Sequence, residues 1–390
     1  MIENFLKMKN KQKFQICTRC IMDTSDPDIE FDGDGVCNHC RNFDINISKQ
    51  WLPNDEGKVR LQTIVDKIKK DGAGKQYDCI LGLSGGVDSS YLALMAKKFG
   101  LRPLAVHVDT GWNRDVGMSN IENIVKVLNI DLFTHVVDWE EMRDLQVAYL
   151  KSGVENQDTP QDHVIFAALY RFAMDHHIRF VLSGSNYATE SVLPTAWGHD
   201  AMDLRQLKAI HKLFGIRKLK TYPTVNFFMY RFYYPYIKKM QVVDILNYIP
   251  YDRENAIKTL QQEVGFKDYG KKHYESQFTK FFQGYFLPVK FGYDKRKAHF
   301  SSLILSGQMT REEALSKIAE KTYSEETLKN DRDFIIKKLG LSQQSFIDIM
   351  AAPNKSFMDY PTSVKLRRTL SKIKDLVRNL GKMGKWRFAK

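Results

Sequence analysis

The stretch Ser84-Gly85-Gly86-Val87-Asp88-Ser89-Ser90 constrains this chain more than any other. An apolar run, Cys79-Ile80-Leu81-Gly82-Leu83, precedes it, and a helix-forming run from Tyr91 to Ala96 follows. Strand, glycine turn and helix start, in that order, make a phosphate cradle. Paired glycines let the backbone approach an anion, and the free N–H groups of the helix start point at it. The stretch has no Gly-Lys-Ser/Thr, which excludes the Walker loop, and no G-x-G-x-x-G, which excludes the dinucleotide fingerprint.

The string resembles the pyrophosphate loop of the PP-loop ATPases. Those enzymes split ATP between its α- and β-phosphates to adenylate an oxygen, which a nucleophile then displaces. In that reading Gly85 and Gly86 offer N–H groups to pyrophosphate, and Ser84, Ser89 and Ser90 add hydroxyl donors. Asp88 holds a Mg²⁺ that bridges the phosphates. A carboxylate at a helix start also answers the helix dipole, and that role for Asp88 stays open.

Strand and helix patterns alternate around the loop. Strands are predicted at 78–83, 104–108, 132–137 and 180–183, and helices at 59–70, 90–99, 116–128, 140–150 and 162–177. This rhythm predicts an α/β fold with a doubly wound parallel sheet. Polar residues end each strand: Ser84, Asp109, Asp138 and Ser185-Asn186. Ligands of open α/β sheets sit outside the carboxyl ends of the strands, so these positions are expected to line one crevice. Asp109 is placed for the nucleotide or its metal, and Gly184 and Asn186 for close approach to it. The predicted organisation is a zinc-ribbon-like segment at 1–57, an ATP-binding α/β domain at 58–220, a helical region at 221–360 that completes the active site, and a basic amphipathic tail at 361–390.

Four of the five cysteines fall in two knuckles, Cys17-x2-Cys20 and Cys37-x2-Cys40. This is the spacing of a structural four-thiolate Zn²⁺ site, with a hairpin between the knuckles. Such a closed site folds the chain around it and leaves no position for chemistry. Two disulfides or a redox pair are the rival readings, and the cytoplasmic character of the chain argues against the disulfides. No apolar run reaches membrane-spanning or signal-peptide length.

Three further segments are candidates for chemistry. In Glu155-Asn156-Gln157-Asp158-Thr159-Pro160-Gln161-Asp162-His163, Thr159 reads as an N-cap, with Pro160 first in the helix. Gln157, Gln161 and Asp162 are expected to contact substrate, and Asp158 and His163 to act in catalysis. Ser183-Gly184-Ser185-Asn186-Tyr187-Ala188-Thr189-Glu190 is a polar turn in which Glu190 can hold a polar substrate. In Lys290-Phe291-Gly292-Tyr293-Asp294-Lys295-Arg296-Lys297-Ala298-His299, Lys290 and Arg296 are expected at the substrate. A helix continued through it sets Lys295, His299 and Ser302 on one face, able to neutralise a departing pyrophosphate. Thr310-Arg311-Glu312-Glu313 is a capping box.

Net charge is +13, yet residues 361–390 hold ten Lys/Arg against one acid, Asp375. The rest is mildly basic, so nucleic acid is not favoured as a partner. Leu366, Leu370, Ile373, Val377 and Leu380 step along one face of that tail, which suits a partner's groove, RNA or peripheral contact with an acidic membrane.

Taken together, the four cysteines before SGGVDSS, the Glu155–His163 segment, and the Lys290–His299 segment before Thr310 resemble the N-acetyl sugar amidotransferase family of bacterial surface-polysaccharide and nonulosonic-acid pathways. The resemblance runs from about residue 14 to residue 350. It implies a PP-loop ligase that adenylates the acetamido (or a carboxylate) oxygen of an N-acetylated, nucleotide-linked sugar and replaces it with ammonia. It implies separate ammonia-supplying subunits similar to the glutaminase and cyclase halves of imidazole glycerol phosphate synthase. The chain agrees with that division of labour: four cysteines sit in knuckles and Cys79 sits in a strand, so no thiol is left for a glutaminase. A tRNA-modifying PP-loop enzyme and a non-catalytic nucleotide-binding scaffold are the alternatives.

Overall fold

In the computed structural model, five parallel strands lie in the order β3-β2-β1-β4-β5. The structure describes residues 13–270, 272, 274–370 and 372. The strands are β1 (Cys79–Gly82), β2 (Pro103–Asp109), β3 (Asp131–Val136), β4 (Phe180–Leu182) and β5 (Gln241–Val243). The chain winds from β1 outward to β3, then returns to lay β4 on the other side of β1. The order therefore reverses between β1 and β4, and the crevice of an open α/β sheet opens at such a reversal.

The central strands are apolar on both faces because helices cover both. Ile80, Leu81, Val106 and Val181 are all buried. The covering helices are α1 (Asp55–Asp71), α2 (Val87–Lys98), α3 (Asp115–Leu128), α4 (Trp139–Ser152) and α5 (Thr159–Asp175). They fall within a few residues of the predicted ones. After β4 come α6 (Tyr187–Glu190) and α7 (Leu204–Phe214), and beyond β5 lie α8 (Arg253–Val264), α9 (Gln277–Phe281), α10 (Leu287–Phe291), α11 (Lys295–Leu305), α12 (Arg311–Ala319), α13 (Glu325–Leu339) and α14 (Gln343–Ala351).

Three local expectations need correction. The region after residue 221 is mostly helical, but it also supplies β5 to the sheet: Ser183 N–H donates to the Val243 carbonyl at 3.0 Å. Three residues are too few to show alternation, so Gln241-Val242-Val243 carries no strand signal of its own. Thr159 is not the cap of α5. It is the first helical residue, and its hydroxyl donates back to the Asn156 carbonyl at 3.1 Å. The helix at 290–299 is broken, because Gly292 turns left-handed at φ +79° and Asp294 caps a new helix, α11. Lys295, His299 and Ser302 do share one face of α11, and the capping box at Thr310 and Glu313 forms as expected.

The first cysteine module rests on the C-terminal helices. Its core includes Val192, Trp197, Ala298 and Leu305 together with the four cysteines. The Arg311 guanidinium donates to the Cys20 and Cys17 carbonyls at 3.1 and 3.0 Å, and Lys297 pairs with Asp23 at 2.5 Å. Of the tail stripe, Leu366 and Leu370 are described; Ile373, Val377 and Leu380 lie outside the described residues.

Candidate active site

The glycine loop leaves β1 and turns into α2. Gly85 takes φ +76°, and a Cβ there would lie 2.2 Å from the Gly117 carbonyl oxygen, so both its conformation and its space demand glycine. Ser84 and Ser89 close the loop on itself, with their hydroxyls 3.1 Å apart. Gly86 is the extended N-cap of α2 and offers no side-chain cap; its N–H donates to Ser84 Oγ at 3.2 Å, and the first N–H of the helix, that of Val87, is taken by the Tyr269 hydroxyl. Ser90 is fully buried and its hydroxyl has no partner among the described residues.

Beside the loop, after β4, lies the Gly184–Glu190 turn. A Cβ on Gly184 would come within 3.3 Å of the Asp88 backbone, which shows how tightly the two strand ends pack. Asp88 and Glu190 then converge on one ammonium. Lys272 Nζ lies 3.2 Å from Asp88 Oδ2, 2.6 Å from Glu190 Oε1 and 2.9 Å from Thr189 Oγ1. The Tyr251 hydroxyl donates to Asp88 Oδ1, and Val87 N–H donates to the Tyr269 hydroxyl at 3.1 Å. Burial works against the Lys272 charge, but Asp88 and Glu190 outweigh it and hold its pKa above the usual lysine value. Two carboxylates aimed at one cation position, next to a phosphate loop, are the donor set a divalent ion takes, so these residues fit Mg²⁺.

The segments flanking Lys272 are pinned beside the cradle by two backbone bonds and one to a side-chain amide. Arg114 N–H donates to Glu275 O at 3.0 Å, Gln277 N–H to Trp112 O at 2.8 Å, and Lys267 N–H to Asn120 Oδ1 at 2.7 Å. Glu275 is packed against Gly86, and burial followed by Asp88 pushes its carboxyl up. Sequence reasoning missed Lys272, Tyr251, Tyr269 and Glu275. The one available signal was a polar cluster, Asp268 to Glu275, between two helical patterns. His299, expected as part of a cationic face, instead sits behind this site: Nδ1 faces the Thr189 carbonyl at 3.3 Å, and burial with the nearby Lys272 charge lowers its pKa to about 3. It is a neutral imidazole that supports α6 rather than a cation.

A second polar cluster sits where α5 begins. Asp158 is buried and accepts from Gln161 Nε2 (3.2 Å), Thr279 Oγ1 (3.1 Å) and Gln283 Nε2 (3.4 Å). The Gln161 oxygen accepts from Thr110 at the end of β2 at 3.2 Å. Burial, and then the Asp158 charge, push Asp162 up to about 7, while Lys295 opposes both. A carboxyl that titrates near neutrality can take a proton from an incoming amine. An aspartate whose folded pKa is raised stabilises the fold fully below its ordinary value of 3.8, and that stability is lost as pH rises through about 7. Asp162→Asn should therefore melt higher than the parent at pH 8 and show a flatter loss of stability between pH 4 and 7, measured by thermal unfolding across that range. The same melting point in both proteins at pH 8 would rule the shifted carboxyl out.

Other expected site residues have structural duties. Both ring nitrogens of His163 are engaged by backbone, Nδ1 with Ala201 O at 2.8 Å and Nε2 with Val225 N–H at 3.3 Å, so neither is open to transfer a proton. Gln157 is fully buried and donates to the Tyr149 and Val154 carbonyls. Lys290 spends its ammonium on the Ile349, Met350 and Ala352 carbonyls at the end of α14. Arg296 is bound to Asp294 and to the Ile318 and Glu320 carbonyls. Asn186 caps α6 through Thr189 N–H at 2.9 Å, and Asp138 caps α4, two strands away from the crevice. Asp109 Oδ1 closes its own turn by accepting from Gly111 N–H at 2.8 Å. It also lines a cavity of about 290 Å³ with Trp139 and Lys338, at the ends of β2 and β3.

The four cysteines form a separate, buried centre. Their sulfurs all lie within 4.8 Å of one another, with neighbouring contacts of 3.6, 3.7 and 3.8 Å. A tetrahedron with metal–sulfur bonds of about 2.3 Å has sulfur–sulfur edges of about 3.8 Å, so the cage fits Zn²⁺. Backbone N–H groups of Arg19, Cys20 and Cys37 point at Cys17 Sγ at 3.3 to 3.4 Å, as thiolates require. His39 stands outside the cage, bonded to Asp26 at 2.7 Å.

Comparison with known proteins gives two family matches in one chain. Residues 58–225 match NAD synthase, and residues 275–374 match the C-terminal domain of LPS biosynthesis protein WbpG-like proteins. The GMP synthase [glutamine-hydrolyzing] of Thermus thermophilus is 30% identical over 176 residues, 44% of this chain and 31% of that protein. An uncharacterized protein of Methanocaldococcus jannaschii is 29% identical over 196 residues, 50% of this chain and 62% of the relative. The chain thus spans 31% and 62% of the lengths of these two relatives. Among solved structures, the NH3-dependent NAD synthetase of Campylobacter jejuni overlaps 34% of this chain and 58% of its own at 19% identity and TM-score 0.26. The NMN synthetase of Francisella tularensis overlaps 56% and 99% at 16% identity and TM-score 0.27.

Proposed function

Because the chain belongs to the WbpG-like PP-loop amidotransferase family, we propose that it uses ATP to activate the acetamido oxygen of an N-acetylated, nucleotide-linked sugar and that ammonia then replaces this oxygen. The observation that carries the reading is the convergence of Asp88, Glu190 and Lys272 beside Gly85 and Gly86, at the reversal of strand order.

Gly85, Gly86 and the start of α2 hold the β- and γ-phosphates. Asp88 and Glu190 would hold Mg²⁺, which would supply neutralising charge to those phosphates. Lys272, held beside the loop by the same two carboxylates, supplies positive charge for the departing pyrophosphate. The sugar's amide oxygen attacks the α-phosphorus, and the bond to pyrophosphate breaks. An amide is a poor electrophile, and adenylation gives its carbon a leaving group. Ammonia adds to that carbon, Asp162 takes a proton from the added nitrogen, and AMP departs with the former amide oxygen. Asp158 and Lys295 set the charge around Asp162. Ammonia comes from a glutaminase–cyclase pair, since all five cysteines are buried and four form the metal cage.

The test is AMP release from ATP in the presence of an ammonium salt and a panel of nucleotide-linked N-acetylated sugars, with the sugar followed by mass. The expected result is sugar-dependent AMP and a product lighter by the difference between O and NH. AMP that depends on bulk RNA and on no sugar of the panel would overturn the reading in favour of a tRNA-modifying enzyme.

A further inference from the structure

From Leu204 to Val243 the chain carries nine Lys/Arg and no Asp or Glu. Within this acid-free stretch a π-helical turn, Met229–Ile237, projects an aromatic ridge. The rings of Phe228 and Phe232 stack at 5.9 Å, and those of Phe232 and Tyr236 lie 6.4 Å apart. The ridge faces outward: Phe228 is 62% exposed, and Tyr236 and Ile237 are each 66% exposed. Lys238 and Lys239 follow at once and are exposed, with no ion pair among the described residues. The basic tail starts beside it. Arg231 of the ridge and Arg367 of the last described helix approach the same oxygen, Asp200 Oδ2, at 3.5 and 2.8 Å.

We propose that this face docks on an anionic lipid bilayer. Exposed rings and an isoleucine, followed by two lysines that pair with no acid among the described residues, have the composition of an interfacial anchor: the apolar groups enter the headgroup boundary and the cations meet lipid phosphates. Charge complementarity selects this occupant over a second copy of the chain, which would set the same lysines against each other. The geometry selects it over RNA. Phe228 and Phe232 stack on one another, which takes one face of each ring from a base, and the exposed Ile237 beside them adds apolar depth that suits a bilayer and gives a single-strand platform nothing.

The full chain should sediment with vesicles that contain phosphatidylglycerol and not with vesicles of phosphatidylcholine alone, and raising the salt should weaken the binding. The triple variant F228S/Y236S/I237S should lose binding by roughly tenfold or more while its AMP formation and melting are unchanged. K238E/K239E should remove the preference for anionic lipid. Absence of vesicle binding, or equal binding by the triple variant, would overturn the proposal. So would a bulk-RNA complex, or lipid-free self-association, that depends on the ridge.

Discussion

Asp88→Asn is expected to lower AMP formation by roughly three orders of magnitude while the chain stays folded. The substitution preserves the shape of the side chain and keeps an oxygen for the Tyr251 hydroxyl. What it removes is the charge that, with Glu190, holds one cation position. Lys272 remains paired with Glu190 at 2.6 Å, so the loop that carries it stays anchored, and the Arg114–Glu275 and Gln277–Trp112 backbone bonds are untouched. The loss should therefore appear in turnover and not in melting. Lys272→Met probes the other half. It should cut turnover by roughly a hundredfold, because a departing pyrophosphate loses its cation and two carboxylates are left facing each other. The measurement is AMP release at saturating ATP, with far-UV circular dichroism and thermal melting as controls. A folded Asp88→Asn protein with near-parental turnover would exclude this cluster from the chemistry.

The four-cysteine cage fits Zn²⁺, and loss of that metal should have the largest effect on stability. Chelation, or Cys20→Ser, is expected to lower the melting temperature by on the order of 10 °C and to abolish AMP formation. The reason lies in what the cage touches. Its carbonyls take the Arg311 guanidinium, Asp23 takes Lys297, and Ser301 of α11 accepts from Ile21 N–H at 3.3 Å. Helix α11 in turn supports the Gly184–Glu190 turn: His299 faces Thr189 O, and Ser302 accepts from Val192 N–H at 3.0 Å. Loss of the cage frees α11, and α11 then no longer fixes Glu190. Zinc re-addition should restore both melting and turnover. Full activity in metal-stripped protein with an unchanged melt would mean that the module is dispensable to the site.

The candidate site was legible where its parts are contiguous in sequence. Ser84–Ser90 needs only a strand before it and a helix after it, and two Cys-x2-Cys pairs need only a short link. Glu190 and Asp162 could be singled out because each sits in a dense polar run at a strand end or helix start. Lys272 could not, because its carboxylate partners lie on segments 82 and more residues away, and a lone lysine in a loop carries no pattern. The opposite error befell His163, Gln157, Lys290 and Arg296. Each is a polar residue in a conspicuous string, and sequence does not reveal that backbone groups far along the chain consume its donors and acceptors. Asn186 and Asp138 were misread similarly: a polar residue after a strand is as often a helix cap as a ligand.

By itself the sequence determined the parallel α/β class, the phosphate loop and the cysteine cage, because periodicity, glycine conformation and thiolate spacing are local properties of the chain. Only the tertiary structure decided which charges meet. It drew the loop of Lys272 onto Asp88 and Glu190, added β5 from a region without strand signal, and turned α11 against the cage. Each of these is a contact between distant segments, selected by burial and by satisfaction of backbone hydrogen bonds rather than by any residue's own preference.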